Sequence, residues 1–211
     1  MKLVKDIEKD ASKSLKVSDK EAEEAFKTIL TWIGENPKRE GLIETPRRVV
    51  KAFKEYFKGY HQNAEADLSK TFGDVEGYDD MVVEKNITME SHCEHHMAPI
   101  IGVAHVAYIP NKKVVGLSKL NRIVEHFGRR GAIQEQLTSA IHNAVNKICE
   151  DNLGVIITIV ATHNCVSCRG VKHRGAAMVT TKASGVFRHN GNDARQEFFN
   201  SLKINNGGHQ I

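Results

Sequence analysis

Ile100 to Ile109 reads IIGVAHVAYI, a β-rich run without a charged residue. Pro110-Asn111-Lys112-Lys113 follows as a turn, and Val114-Val115 as a further β signal. Working outward, Val82 to Met89 alternates imperfectly and reads as a partner strand. Downstream, Leu120, Ile123, Val124 and Phe127 recur at helical spacing, with Ser118 as the expected cap and Gly128 as the stop. A longer helix is predicted over about 133–151, with Ile133, Leu137, Ile141, Ala144, Val145 and Ile148 inward and Gly154 past its end. Val155 to Thr162, VIITIVAT, is a buried-strand run. Ala176 to Thr181 is another strand, which 184–187 would extend, and the tail from Asn190 is polar. The order β-β-α-α-β-β predicts an α+β domain: one antiparallel sheet with two central helices on one face. The edges of such a sheet invite pairing, so oligomerisation is expected.

The N-terminal third reads differently. Residues 1–17 are polar and Lys-rich. Ser18 with Glu21 forms a capping box, and Ala22, Ala25, Phe26, Ile29, Leu30 and Ile33 continue at helical spacing to Gly34 and Pro37. Thr45-Pro46 opens a second helix, striped by Val49, Val50, Phe53, Tyr56 and Phe57. Residues 1–80 are therefore expected to be an N-terminal helical extension, and 81–211 the α+β domain.

The 211 residues carry a net charge of +4 and are 40% hydrophobic and 27% charged, an ordinary globular composition. The mild basic excess suits an anionic ligand and is too weak to argue for nucleic acid. No apolar run reaches the roughly 18 residues of a membrane span, and no signal-peptide core is visible. A cytoplasmic, reducing location is expected. Cys93, Cys149, Cys165 and Cys168 then read as ligands, thiols or core residues and not as bridges.

Two segments concentrate imidazole and thiol: Ser91-His92-Cys93-Glu94-His95-His96 and His163-Asn164-Cys165-Val166-Ser167-Cys168-Arg169. These are donors zinc prefers, and a Cys-x-x-His spacing brings Cys93 and His96 to one ion. If the second segment continues a strand, His163, Cys165 and Arg169 share its parity, which favours Cys165 over Cys168 as third ligand. Three ligands leave a position for water, whose pKa zinc lowers toward roughly 7. His95 and His163 are then candidate proton carriers. A closed structural site of Cys93, His96, Cys165 and Cys168 is the alternative. Lys119 and Arg122, beside Ser118 at a helix start, suit phosphate, and Arg48 with Lys51 repeats that spacing. A solvated helix face is the alternative there. Glu135 would ordinarily be a first-turn acid.

With these residues in view, the sequence resembles the GTP cyclohydrolase I family. The likeness runs through Thr45-Pro46-Arg47-Arg48-Val49, Ser91 to His96, Tyr108-Ile109-Pro110, Gly116 to Val124, Gln134 to Thr138, and His163 to Val166 with Arg169-Gly170. The resemblance implies the tunnelling fold and the conversion of GTP and water to 7,8-dihydroneopterin triphosphate and formate. It implies a toroidal homodecamer with active sites between subunits. Carried over by motif position, Cys93, His96 and Cys165 look like zinc (Zn2+) ligands, and His95 and His163 like the acid/base pair. Gln134 and Glu135 look like the guanine anchor. Ser118, Lys119, Arg122 and Arg169 look like triphosphate and ribose contacts, with Arg48 and Lys51 as further phosphate contacts. The sequence departs from the family pattern at Gly131-Ala132, where Pro-Gln is common, so glycine is expected to loosen the entry to the long helix. Gln136 stands where arginine is common, and Cys168 where an apolar residue is usual.

Overall fold

A computed structural model describes residues 17–62, 71–72, 77–149, 151–188 and 193–204. The expectations for residues 1–16 and for the tail beyond 204 lie outside the described residues. The chain forms two compact units, divided between Tyr60 and His61 and so ahead of residue 80.

The first unit holds helices α1 (Asp19–Trp32) and α2 (Thr45–Tyr56). The Ser18–Glu21 capping box closes reciprocally at the start of α1. The N-cap of α2 is Glu44, one residue before the expected Thr45, with Pro46 in the first turn. Phe26 of α1 meets Phe53 of α2 edge-on, with ring centroids 5.3 Å apart.

The second unit is built on β2 (Val82–Cys93), β3 (Pro99–Ile109), α3 (Leu117–Gly128), α4 (Gln134–Ile148), β6 (Gly154–His163) and β7 (Met178–Ala183). This is the expected β-β-α-α-β-β order. Short strands complete it: β1 (Thr71–Phe72) pairs with β4 (Val114–Val115), and β5 (Gly131–Ala132) joins the main sheet, ordered β5-β2-β3-β6-β7. The long strands pair antiparallel. The β2–β5 pair is parallel, so the sheet is not purely antiparallel as expected. β2 alternates imperfectly because its register shifts between Glu84 and Ile87, where Asn86 takes φ +59°.

Alternate residues of the strands face the two helices. Met89, Ala104, Val106, Tyr108, Val155, Ile157 and Ile159 pack with Leu120, Ile123, Leu137, Ile141 and Val145 in one buried cluster. The sheet's opposite face carries Ala107 and Ile156, which pack with Phe187 and Phe198. Phe198 belongs to helix α6 (Asp193–Lys203), which the polar tail concealed. Residues 185–187 form a 3-10 turn and do not extend β7. Gly102 lets β3 and β6 approach: a Cβ there would lie 2.1 Å from the Val160 carbonyl oxygen.

α3 starts one residue after Gly116, its N-cap, and Ser118 makes no side-chain capping bond, contrary to the expectation. The helix runs in the same direction as β2. Asn121 near its start donates to Glu84, and Gly128 at its end lies under the Glu90 carbonyl.

Candidate active site

The β2–β3 hairpin carries the first cluster at its tip. Cys93, the last residue of β2, donates its N–H to Ala98 O at 2.8 Å and accepts the Met97 N–H at 2.8 Å. Met97 closes this loop in the left-handed region, at φ +54°. His95 and His96 both bring Nδ1 to 3.9 Å from Cys93 Sγ. β6 ends beside the hairpin, with His163 opposite Ile100.

After His163 the chain turns into a single helical turn, α5 (Asn164–Ser167). The strand parity expected to run from His163 to Arg169 therefore ends at its first member. Cys165 reaches the hairpin from the helical turn instead. The donor atoms of Cys93, His96 and Cys165 all lie within 4.8 Å of one another. His95 lies near Cys93 but outside this triad, and its side chain is 64% exposed. Cys168, at the C-cap of α5, is exposed and outside the triad as well.

The triad fits a metal ion. A tetrahedral ion with bonds of about 2.0–2.3 Å needs donors just under about 4 Å apart, so closure asks for a contraction of about an ångström at most. The electrostatics agree. Burial pushes the Cys165 thiol up, and the Cys93 sulfur alongside adds to that. A cation between two thiols relieves that mutual penalty on ionisation.

His163 stands next to the triad on the side of α4. Its Nε2 lies 2.8 Å from Gln134 Oε1. Burial pushes its imidazole down, and the Glu135 carboxylate opposes that shift. Glu135 is exposed on the first turn of α4, while the Gln134 side chain is completely buried. Gln134, expected beside Glu135 as a guanine anchor, thus spends its side chain inside the protein. Sequence patterns could not separate the two neighbours, because helix burial decides which one faces out.

Gly131-Ala132 pairs in parallel with His92 and Cys93, and Glu94 donates its N–H to Ala132 O at 3.3 Å. The segment in which glycine is expected to loosen the helix entry is hydrogen-bonded to the strand that carries Cys93.

The phosphate candidates divide. Arg169 is exposed and close enough to Cys165 to lower its thiol, against the larger effect of burial. Ser118 and Arg122 are exposed and Lys119 is buried, all on the first turns of α3. That end of α3 lies at Glu84, nine residues before Cys93 on an extended strand and thus roughly 30 Å away. One chain does not bring Ser118, Lys119 and Arg122 to its own triad. Arg48 and Lys51 are exposed on α2 in the first unit.

A fold with a Cys–His–Cys triad between two strand ends, flanked by an oriented histidine, defines a metal-binding α+β enzyme class. The GTP cyclohydrolase I family model matches residues 22–203. A GTP cyclohydrolase 1 from Pelagibacter ubique is 62% identical over 188 residues, covering 89% of this chain and 93% of that protein. Its counterpart from Maricaulis maris is 48% identical, over 92% of this chain and 93% of that protein. The Hyphomonas neptunium protein is 49% identical, over 87% and 88% respectively. The chain belongs to the GTP cyclohydrolase I family.

Proposed function

We propose that this protein converts GTP and water to formate and 7,8-dihydroneopterin triphosphate, the entry to pterin and folate biosynthesis, using zinc held by Cys93, His96 and Cys165. The observation that carries the reading is the convergence of that triad beside His163. When bound, zinc would polarise a substrate oxygen and make water acidic enough to ionise near neutral pH. His163 and His95 are the groups that move protons, at the purine N7 and at the leaving nitrogens. Glu135 accepts two parallel N–H bonds from the guanine edge, a pairing a carboxylate makes well. Arg169 meets the phosphates from the same chain.

Ser118, Lys119 and Arg122 then serve the site of a neighbouring copy. Their distance from their own triad supports a homo-oligomer with active sites between subunits, which we take to be the family's toroidal decamer. Arg48 and Lys51 of the helical extension add phosphate contacts at the site of a neighbouring copy. Thiol ligands kept reduced favour the cytoplasm. Among the described residues no helix is long and apolar enough to cross a membrane. A structural zinc site is the weaker reading, since Cys168 is exposed and outside the triad.

The test is incubation with GTP, following formate and pterin absorbance with and without a chelator. Both products should appear together, vanish on chelation and return with zinc. A folded, zinc-loaded protein that makes neither would overturn the proposal.

A further inference from the structure

We propose that Gln134 is a positioning residue that fixes which ring nitrogen of His163 carries hydrogen. The argument begins at the other end of the Gln134 amide. Its Nε2 lies 3.2 Å from Ile159 O, 3.1 Å from Met178 O and 3.1 Å from Thr180 Oγ1. Two of these partners are peptide carbonyls, which only accept. The NH2 end of the amide therefore faces β6 and β7. The reverse orientation would set Oε1 against two carbonyl oxygens inside the protein, with no donor from either.

The threonines agree with this direction. Thr138 Oγ1 lies 2.7 Å from the Gln134 carbonyl, which can only accept, so Thr138 spends its hydrogen there. The 2.6 Å contact between Thr138 and Thr180 is then donated by Thr180. Thr180 is left with lone pairs, which suits the Gln134 N–H. The two amide hydrogens are divided among these three acceptors, and no two donors in the network oppose each other.

With the amide so fixed, Oε1 is what faces His163 Nε2 at 2.8 Å. An amide oxygen only accepts, so Nε2 must carry the hydrogen. A neutral imidazole has one N–H, and Nδ1 is left as its acceptor. Gln134 also sets the ring plane, because its own position is held by two strands and by α4. This places the Gln134 side chain behind the histidine and leaves guanine recognition to Glu135. Such a supporting partner typically matters 10- to 100-fold in activity while touching no substrate.

The kinetic consequence rests on the cyclohydrolase reading, whereas the tautomer does not. Solid-state NMR of the zinc-loaded, 15N,13C-histidine-labelled protein reads the tautomer directly, with the His163 signals assigned by their loss in His163→Asn. The wild-type protein should show an Nε2–H imidazole. In Gln134→Met the signal should become a mixture of tautomers. Its kcat should fall about 10- to 100-fold, with the KM for GTP within about twofold and the metal content unchanged. Gln134→Asn, which stays polar but draws its carbonyl back, should move the same readouts the same way if the methionine variant does not fold. An Nδ1–H tautomer in the wild type would overturn the proposal. So would a loss confined to KM, which would mark a guanine contact, or unchanged kcat and tautomer in the variants. A wild-type protein that released no formate would defeat the cyclohydrolase reading alone, and the NMR result would still decide the role of Gln134.

Discussion

The side-chain amide of Asn121 donates to the carboxylate of Glu84, tying the start of α3 to the start of β2. Because α3 runs along β2 toward Glu90, the basic start of the helix and the Cys93 end of the strand lie at opposite ends of the unit. A site using both must take them from different copies. Arg122→Ala and Cys165→Ala should each abolish most GTP turnover alone. Dissociated and reassembled as an equal mixture, they should regain activity, with about a quarter of sites receiving both intact halves if association is random. A mixture as inactive as its components would place the whole site in one chain.

The exposed position of Cys168, outside the triad, separates it from Cys165 in a measurable way. Cys165→Ala should lose bound zinc by elemental analysis and lower kcat/KM by at least about 1000-fold, since a ligand and its charge go together. Cys168→Ala should keep a full equivalent of zinc and activity within about threefold. Zinc loss from the Cys168 variant would restore the closed four-ligand site.

Gly102 offers a test of the sheet that holds both clusters. An added methyl would meet Val160 O at 2.1 Å and the Ala161 Cα at 2.6 Å, backbone atoms between paired strands that cannot turn aside. Gly102→Ala should cost at least about 2 kcal/mol in urea unfolding, toward the upper part of the range for overpacking. A cost under about 0.5 kcal/mol would mean that β3 and β6 are not this close.

The long strands and both central helices were legible because burial marks the sequence: burial on both faces of β6 leaves the continuous apolar run VIITIVAT, and burial of one face of α3 imposes helical spacing on Leu120, Ile123, Val124 and Phe127. The bulge at Lys85–Asn86 was visible only as broken alternation. α6 lies in the tail that reads as polar, although Ala194, Phe198 and Leu202 recur at helical spacing and pack, with Phe199, on the sheet's second face. The triad was legible from donor types and spacing, but strand parity does not account for Cys165, because the chain begins a helical turn at Asn164. The burial of Gln134 was not legible, since its partners, Ile159, Met178 and Thr180, come from strands distant in sequence. Nor could spacing reveal that α3 presents Ser118, Lys119 and Arg122 at the far end of β2, because that depends on the direction of packing.

His105 gives a pH dependence whose sign is fixed by its burial. It is buried, and its Nδ1 accepts the Asn86 N–H at 3.2 Å across the β2 bulge. Burial pushes its pKa down, and the Lys85 ammonium pushes the same way. Burial also pushes down His142, against a smaller opposing effect from Asn143. Above the unfolded value of about 6.5, both states are neutral and these groups add no pH dependence. As pH falls through 6.5, the unfolded chain takes up protons that the folded protein refuses, so stability falls with falling pH until the folded values are reached. Each histidine contributes at most about 1.4 kcal/mol per pH unit in that window. Urea unfolding at pH 7.5, 6.5 and 5.5 should show most of the loss in the lower interval. His105→Gln, whose carbonyl can still accept from Asn86 and cannot be protonated there, should lose less in the same interval. If the variant and the wild-type protein lose stability equally, His105 is protonated as readily in the fold as out of it.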